Sequence, residues 1–121
     1  MKFEEVDFYD YKIRMCLDNG IRMYLVSDLL RQYNEKHGTN KRFGEYLQSE
    51  ETQEVIKHLL KREDGNQDDI SNVIQYISFS DSGSTKTGFI ICEELLHMFL
   101  MWLDPDFTWK VLHFLSFSKG M

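Results

Sequence analysis

The stretch that most restricts the fold is "GFIICEELLHMFLMWLDPDFTWKV", residues 88–111. From Glu93 the apolar side chains follow helical spacing, and "LLHMFLMWL" is apolar almost all round, which predicts a buried central helix. Asp104 and Pro105 follow, a residue pair typical of the N-cap and the first turn of a new helix. The chain should therefore break there and begin a last helix. The apolar positions of that last helix are Phe107, Val111, Phe114 and Leu115.

Two runs rich in β-branched and aromatic residues precede the central helix. They are "VIQYISF" at 73–79 and "GFIIC" at 88–92, and their composition is typical of strands. The segment between them, "SDSGSTKT" at 80–87, has no apolar side chain that could pack against the core, so we expect a hairpin with a mobile loop at its tip. The polar connector at 65–72 is the strongest candidate for a domain boundary.

An earlier stretch, "YKIRMCLDNGIRMYLVS" at 11–27, alternates on both sides of a turn and predicts another hairpin. A two-residue turn at Asn19-Gly20 would place Leu17 opposite Arg22 and mix the two faces. A three-residue loop over 18–20, with Gly20 as a left-handed bulge, instead pairs apolar residues with each other. We therefore expect the three-residue loop. The pairs it creates are Leu17 with Ile21 and Met15 with Met23.

Three helices are expected between the hairpins. Ser27 suits the N-cap of the first helix and Gly38 its end. A second helix starts after Thr39 or Asn40, with Asn40 as its cap. Ser49 caps a third helix. The second helix buries Phe43, Tyr46 and Leu47; the third buries Val55, Ile56, Leu59 and Leu60 and carries Lys61 and Arg62 at its end.

The resulting fold class is α+β, in the order β-β-α-α-α-β-β-α-α, with a helix-turn-helix-like pair between the hairpins. A chain of 121 residues with 42% apolar residues has the size of one domain with one core, 1–121, in which residues 1–10 form an acidic N-terminal extension. No apolar run has the length of a signal peptide or membrane helix, so we expect a soluble, intracellular protein. Cys16 and Cys92 are too few for a zinc site and are expected to be reduced core thiols.

The charge is unevenly distributed along the chain. The formal net charge is -6, which argues against a protein that coats nucleic acid indiscriminately. Between residues 36 and 62, however, six basic residues face four acidic ones, so this segment carries +2. Such segregation permits a cationic surface on an anionic protein.

Catalytic and metal-binding patterns are weak. Glu94 and His97 have the spacing of a helical carboxylate-histidine metal pair, but such sites need a second copy on another helix, which the sequence lacks. No phosphate-binding glycine loop or nucleophile-histidine set is found. We expect no enzyme, no metal and no cofactor.

Three stretches carry a likeness to a known family: "YLVSDLL" at 24–30, "KRFGEYLQSEETQEVI" at 41–56, and the 88–111 stretch with its Trp-Leu-x-Pro-x-Phe corner. Together they span most of residues 21–115. The sequence resembles the KilA-N domain of bacteriophages and large DNA viruses, which is related to the fungal APSES DNA-binding domain. The resemblance implies a viral or phage protein that acts in the cytoplasm or nucleus of a host cell. It also implies DNA as the partner, with RNA left open.

Five basic residues are the candidates for contacts with nucleic acid. Lys41 and Arg42 lie at the start of the second helix, which the resemblance places in the DNA-reading element; their alternative is a solvated helix end. Lys86 resembles a basic residue on a wing hairpin. Lys57 and Lys61, four apart on the third helix, could extend the same surface, although pairing with Glu54 and other neighbours is the simpler use of these lysines. The aromatic rings at positions 24, 33 and 46 could offer stacking surfaces, but their spacing is typical of core residues.

A different class of function remains open: the acidic runs at 4–10, 63–69 and 93–106 could meet a basic host or viral protein. The domain would then be an interaction module, inhibitor or decoy without DNA binding. A homodimer is a further alternative, in which an exposed Phe114 or Phe117 marks the contact between copies. The chain could also be the DNA-binding part of a longer protein.

Overall fold

A computed structural model describes residues 2–61, 65 and 68–119, and it shows an α+β fold with a single sheet. The strands are β1 Glu4–Phe8, β2 Tyr11–Asp18, β3 Ile21–Leu25, β4 Ile74–Asp81 and β5 Ser84–Cys92. The helices are α1 Val26–His37, α2 Phe43–Gln48, α3 Glu50–Leu60, α4 Glu93–Leu103 and α5 Pro105–Lys119, with a 3-10 turn at Ile70–Asn72 before β4.

The five strands are antiparallel and lie in the order β1-β2-β3-β5-β4. The two expected hairpins are therefore joined edge to edge through β3 and β5. The order of elements expected from the sequence lacks β1, because the acidic residues of 1–10 predict an extension outside the sheet. Glu4, Glu5 and Asp7 are tolerated in β1 because an edge strand exposes much of its surface to water.

The turn between β2 and β3 differs from the expected three-residue loop. Asp18 pairs with Ile21 across a two-residue turn, in which Asn19 and Gly20 have φ values of 52° and 79°. Positive φ at both positions is the geometry that Asn-Gly favours in tight hairpins. The prediction was wrong because it assumed one apolar face.

Both faces of the sheet are covered at this point. Met15 pairs with Tyr24 on one face and Cys16 with Met23 on the other, and all four side chains are buried. Leu17 pairs with Arg22 at the end of the hairpin, where it is exposed. The two-residue register therefore mixes polar and apolar side chains only where the strands leave the core.

The second hairpin is longer than expected. The pairing of β4 with β5 continues to Asp81 and Ser84, and only Ser82 and Gly83 form the turn, with φ values of 53° and 82°. The loop expected over 80–87 is therefore wrong. These residues lack apolar side chains because the end of the hairpin is largely exposed, and backbone hydrogen bonds of the ladder hold it in place.

Helix boundaries follow local signals with two exceptions. Gly38 ends α1 at a φ of 64°, and Ser49 caps α3 by accepting a hydrogen bond from the Thr52 backbone N–H at 3.2 Å, as expected. Asn40 does not cap α2, which begins at Phe43 after Arg42. Arg62, expected at the end of α3, lies outside the described residues.

The second exception is Ser27, which lies inside α1 because that helix begins directly after β3. The Ser27 hydroxyl accepts a hydrogen bond from the Phe89 backbone N–H at 2.8 Å and so ties α1 to β5. Gly88 leaves room for this approach, because a Cβ at that position would crowd the Cβ of Ser27 at 3.1 Å. The serine expected to be a cap is therefore a tertiary contact.

The core lies between the sheet and the helices, with α4 at its centre. Five α4 side chains are buried: Leu95, Leu96, Phe99, Leu100 and Leu103. Asp104 starts α5 by accepting hydrogen bonds from the backbone N–H groups of Asp106 and Phe107, at 3.0 and 3.4 Å. Phe107 and Val111 are buried as expected, whereas the side chains of Phe114, Leu115 and Phe117 lie outside the described part of the chain.

Candidate nucleic-acid interface

A groove of about 590 Å³ lies between the α1–α2 connection and the second hairpin. Side chains of α1, the 39–42 loop and the start of α2 form one side, and residues from β4 and β5 form the other. Of the described residues that line it, the basic ones are Arg31, Lys41 and Arg42, and the acidic one is Glu35. The groove is therefore cationic although the chain as a whole carries -6.

The loop that forms one wall is organised by the side chain of Asn34. Its carbonyl oxygen accepts hydrogen bonds from the Lys41 backbone N–H at 3.1 Å and the Thr39 hydroxyl at 2.9 Å. Its amide nitrogen donates to the Lys41 carbonyl oxygen at 2.9 Å. These bonds connect α1 to the residues just before α2, and so position Lys41 and Arg42. Sequence reasoning did not single out Asn34, because its partners become evident only once the loop is folded.

The Lys41 ammonium is engaged within the fold. It donates a hydrogen bond of 3.0 Å to the carbonyl oxygen of Leu103, the last residue of α4, and lies 5.7 Å from the centroid of the Trp102 ring. A cation there satisfies a carbonyl that has no partner within the helix and complements the negative end of the helix dipole. Lys41 thus links the groove wall to the end of α4.

Arg42 differs from its neighbour. Its side chain is exposed and, within the described residues, forms no hydrogen bond or ion pair. Arg31, which sequence reasoning missed, also lines the groove, but its guanidinium is shared between Asp28 at 2.8 Å and Glu35 at 3.0 Å. Arg42 is therefore the groove cation with the greatest freedom to meet an anion.

The hairpin wall presents an aromatic ring that the sequence reasoning also missed. Tyr76 on β4 is 63% exposed, donates a 2.8 Å hydrogen bond to the Thr87 hydroxyl, and contacts the Phe89 ring edge-on at 4.8 Å between centroids. The alternation within β4 carried a signal, because Tyr76 and Ser78 occupy exposed positions of that strand.

The three tyrosines considered as stacking surfaces belong to the core. Tyr24, Tyr33 and Tyr46 are 1%, 5% and 2% exposed. Burial raises the pKa of each hydroxyl to about 12, assisted by the charge of Glu93 at Tyr24 and a hydrogen bond to Asp104 at Tyr33. None of them offers a ring face to a ligand.

Lys86 lies within β5, paired across the ladder with Phe79, and it does not line the groove. Its ammonium is 2.9 Å from an Asp81 carboxylate oxygen, and the other oxygen of Asp81 is 3.3 Å from Arg14 on β2. Hydrogen bonds from Lys86 and Arg14 hold the pKa of Asp81 below its usual value. The end of the hairpin is thereby linked by ion pairs to β2.

The remaining two predicted residues lie on α3 and outside the groove. Lys57 forms an exposed ion pair with Glu54 at 3.7 Å, and Lys61 occupies the C-cap position. The structure thus brings together Lys41 and Arg42 in the groove, and leaves Lys57, Lys61 and Lys86 at other positions.

Among the described residues, no group of three or more His, Cys, Asp or Glu side chains is arranged to hold a metal ion. Glu94 and His97 are both exposed on α4. Cys16 and Cys92 are buried and not in a disulfide, and burial raises the pKa of the Cys92 thiol to about 11, so it stays protonated near neutral pH. No described helix combines the length and hydropathy needed to cross a membrane.

The protein is a small α+β domain with one antiparallel sheet and a helical segment between its two hairpins. A cationic groove lies where that segment meets the second hairpin. The chain matches the family model described as KilA-N domain over residues 7–119 and belongs to that family. Domains of this family generally bind DNA. The match extends further in both directions than the 21–115 region of resemblance. A search of curated proteins and a search of solved structures each found no match.

Proposed function

We propose that the protein is a non-catalytic DNA-binding domain that contacts the phosphate backbone through the groove beside the second hairpin. The supporting observation is Arg42, an exposed cation whose side chain has no partner within the described part of the chain. It lies in a groove whose described lining holds three basic residues and one acidic residue. Family membership supports DNA as the class of ligand, because domains of this family generally bind DNA. An origin in a virus or phage, and action inside a host cell, are part of this proposal and rest on the family resemblance.

The five basic residues divide into two groups in this proposal. Arg42 makes the direct phosphate contact, and Lys41 adds its charge to the groove while bonded to Leu103. The lysines at positions 57, 61 and 86 lie outside the groove and supply flanking contacts when the bound nucleic acid extends beyond it. Because only a few phosphates are neutralised, affinity should fall along a shallow salt slope.

A charge-reversal pair tests the proposal. Arg42→Glu should weaken binding of a labelled random-sequence DNA duplex at low salt by about tenfold or more, measured by fluorescence anisotropy. Lys110→Glu changes the net charge equally at an exposed position on α5 outside the groove and is the matched control. Equal losses in the two variants, or no DNA binding by the native chain, would contradict the proposal.

A second function, binding of a basic protein partner, is favoured by a separate apolar groove. Met98, Met101 and Trp102 on α4 are 41%, 48% and 37% exposed and line a cavity of about 180 Å³ together with residues of α2 and α3. Exposed methionines adapt to helical partners, and the Glu51 carboxylate at this groove complements a basic one. This arrangement suits an amphipathic helix with flanking lysines or arginines.

The two functions can be separated with a synthetic leucine-lysine helical peptide. In a Trp109→Phe protein, Trp102 is the remaining tryptophan, since the chain has two. Three results together would support the protein-binding function. The Trp102 fluorescence should shift to shorter wavelength and saturate as peptide is added, Met101→Glu should abolish this shift, and DNA should compete with the protein for the peptide. If the protein binds DNA and does not respond to the peptide, only the DNA-binding function is supported.

A further inference from the structure

Tyr76 has the geometry of a preorganised stacking platform. Its hydroxyl donates a hydrogen bond to the Thr87 hydroxyl at 2.8 Å, and the edge contact with Phe89, at an interplanar angle of 63°, orients the ring on the sheet. The side chain is nevertheless 63% exposed and lies in the groove with Arg42. A ring that is already oriented loses less conformational entropy when a flat ligand stacks on it than a freely rotating ring does.

The charges of the groove are too few to give strong binding by themselves, so a stacking contact would add affinity that the cations do not supply. Lys41 is bonded to Leu103, and Arg31 is shared between two carboxylates. Among the described residues of the groove, Arg42 is therefore the cation without a side-chain partner. Phosphate neutralisation by so few cations gives weak binding, and a net charge of -6 opposes it further. Stacking of a base on an aromatic ring adds affinity that does not depend on charge.

A stacked base must first leave its duplex, because neighbouring base pairs cover its faces within the helix. Unpaired bases in single strands, loops and ends present these faces, and proteins bind them on aromatic side chains flanked by cations. The groove volume of about 590 Å³ lies within the ~300–1,000 Å³ typical of small-ligand sites. It therefore has room for a single nucleotide.

From this arrangement we infer that the groove binds an unpaired nucleotide, whose base stacks on Tyr76 while its phosphate pairs with Arg42. The inference rests on the proposed nucleic-acid function and adds the form of the ligand: single-stranded or locally unpaired nucleic acid. A second consequence is sequence tolerance, because every base has an aromatic face.

The test uses the full chain and three variants. The probes are a fluorescein-labelled thymidine 12-mer and a fully paired duplex of equal length, compared by anisotropy at low salt. Tyr76→Ala should weaken binding of the single strand about tenfold or more and leave duplex binding nearly unchanged. Tyr76→Phe keeps the ring and should keep most of the affinity. Trp109→Ala removes a 75% exposed ring on α5, outside the groove, and should have no effect.

A single 2-aminopurine in an otherwise identical strand reports stacking directly. Its fluorescence should be quenched when it binds the native protein and the Phe variant, and not when it binds the Ala variant. Far-ultraviolet circular dichroism and thermal unfolding check that all variants are folded.

The outcomes separate this inference from the function on which it rests. If Tyr76→Ala changes neither affinity nor quenching while Arg42→Glu still weakens duplex binding, the stacking site is refuted and the DNA-binding function stands. Equal losses on single strand and duplex also overturn the inference. If the native chain binds neither probe, both proposals fail together.

Discussion

Replacing Lys41 with alanine tests whether this residue acts chiefly in the fold or at the ligand. Sequence reasoning placed it beside Arg42 as a phosphate contact. In the structure Lys41 is a half-buried residue against the end of α4, where its ammonium meets the Leu103 carbonyl oxygen at 3.0 Å and lies over Trp102. The substitution should therefore lower stability, unlike Arg42→Ala at the adjacent exposed position.

The expected loss follows from the three interactions of the ammonium. A net hydrogen bond contributes about 1 kcal/mol, a cation at a helix C-terminus about 0.3–1 kcal/mol and an exposed cation-π contact about 0.5–1 kcal/mol. All three depend on the same charge and are not additive, so Lys41→Ala should reduce the free energy of unfolding by about 1–2 kcal/mol. For a domain of this size the melting temperature should fall by about 4–8 °C.

Urea unfolding followed by circular dichroism measures this loss, and DNA anisotropy on the same samples measures the affinity. Arg42→Ala is the control and should stay within about 0.5 kcal/mol of the native stability while losing more affinity than Lys41→Ala. If both variants are equally stable and lose equal affinity, then Lys41 is a ligand contact and its bond to Leu103 contributes nothing measurable.

Three further substitutions have outcomes that the structure determines. Gly88→Ala places a methyl 3.1 Å from a side-chain carbon of α1 and should lower the free energy of unfolding by about 1–3 kcal/mol in urea titrations. Burial opposes ionisation of Asp104, but hydrogen bonds from Tyr33 and two backbone N–H groups lower its pKa overall. The carboxylate therefore contributes stability above its unfolded pKa of about 3.9 that is lost as pH falls through the lower folded pKa. Asp104→Asn, which can still cap α5, should show a smaller drop in urea midpoint between pH 6 and pH 2. Asp81→Asn should release Lys86 and steepen the salt slope of DNA binding by up to about one unit, with higher low-salt affinity; an unchanged slope would show that Lys86 does not reach the ligand.

The features that could be read from the sequence are those with local causes. Gly38 ends α1, Ser49 starts α3 and Asp104 starts α5 because each acts on backbone groups within a few residues of itself. The burial of α4 was predictable for one face only. Its leucines and Phe99 are buried, whereas Met98, Met101 and Trp102 on the other face are exposed, contrary to the all-round burial expected from its apolar sequence. The α+β class and the family likeness were also evident from the sequence, because both rest on patterns within short stretches of the chain.

The register of the first hairpin was not predictable by the same reasoning. Alternation assigns one apolar face to a strand, but Cys16 and Met23 are buried on the face opposite Met15 and Tyr24. Which faces of a sheet are covered depends on elements that arrive later in the chain. The edge position of β1, which makes its acidic residues acceptable, has the same origin.

Some features of the candidate site could likewise be read from the sequence, and others depend on contacts between distant segments. The sequence alone determined that Lys41 and Arg42 lie together before a short helix, and that a hairpin rich in polar residues follows further along the chain. Contacts between distant segments bond Lys41 to a carbonyl 62 residues away and place Tyr76 across the groove. They also leave the Arg42 side chain with no partner among the residues that the structure describes. Local capping and periodicity depend on neighbours within one or two helical turns, whereas the engagement or exposure of a side chain depends on contacts between segments far apart in the chain.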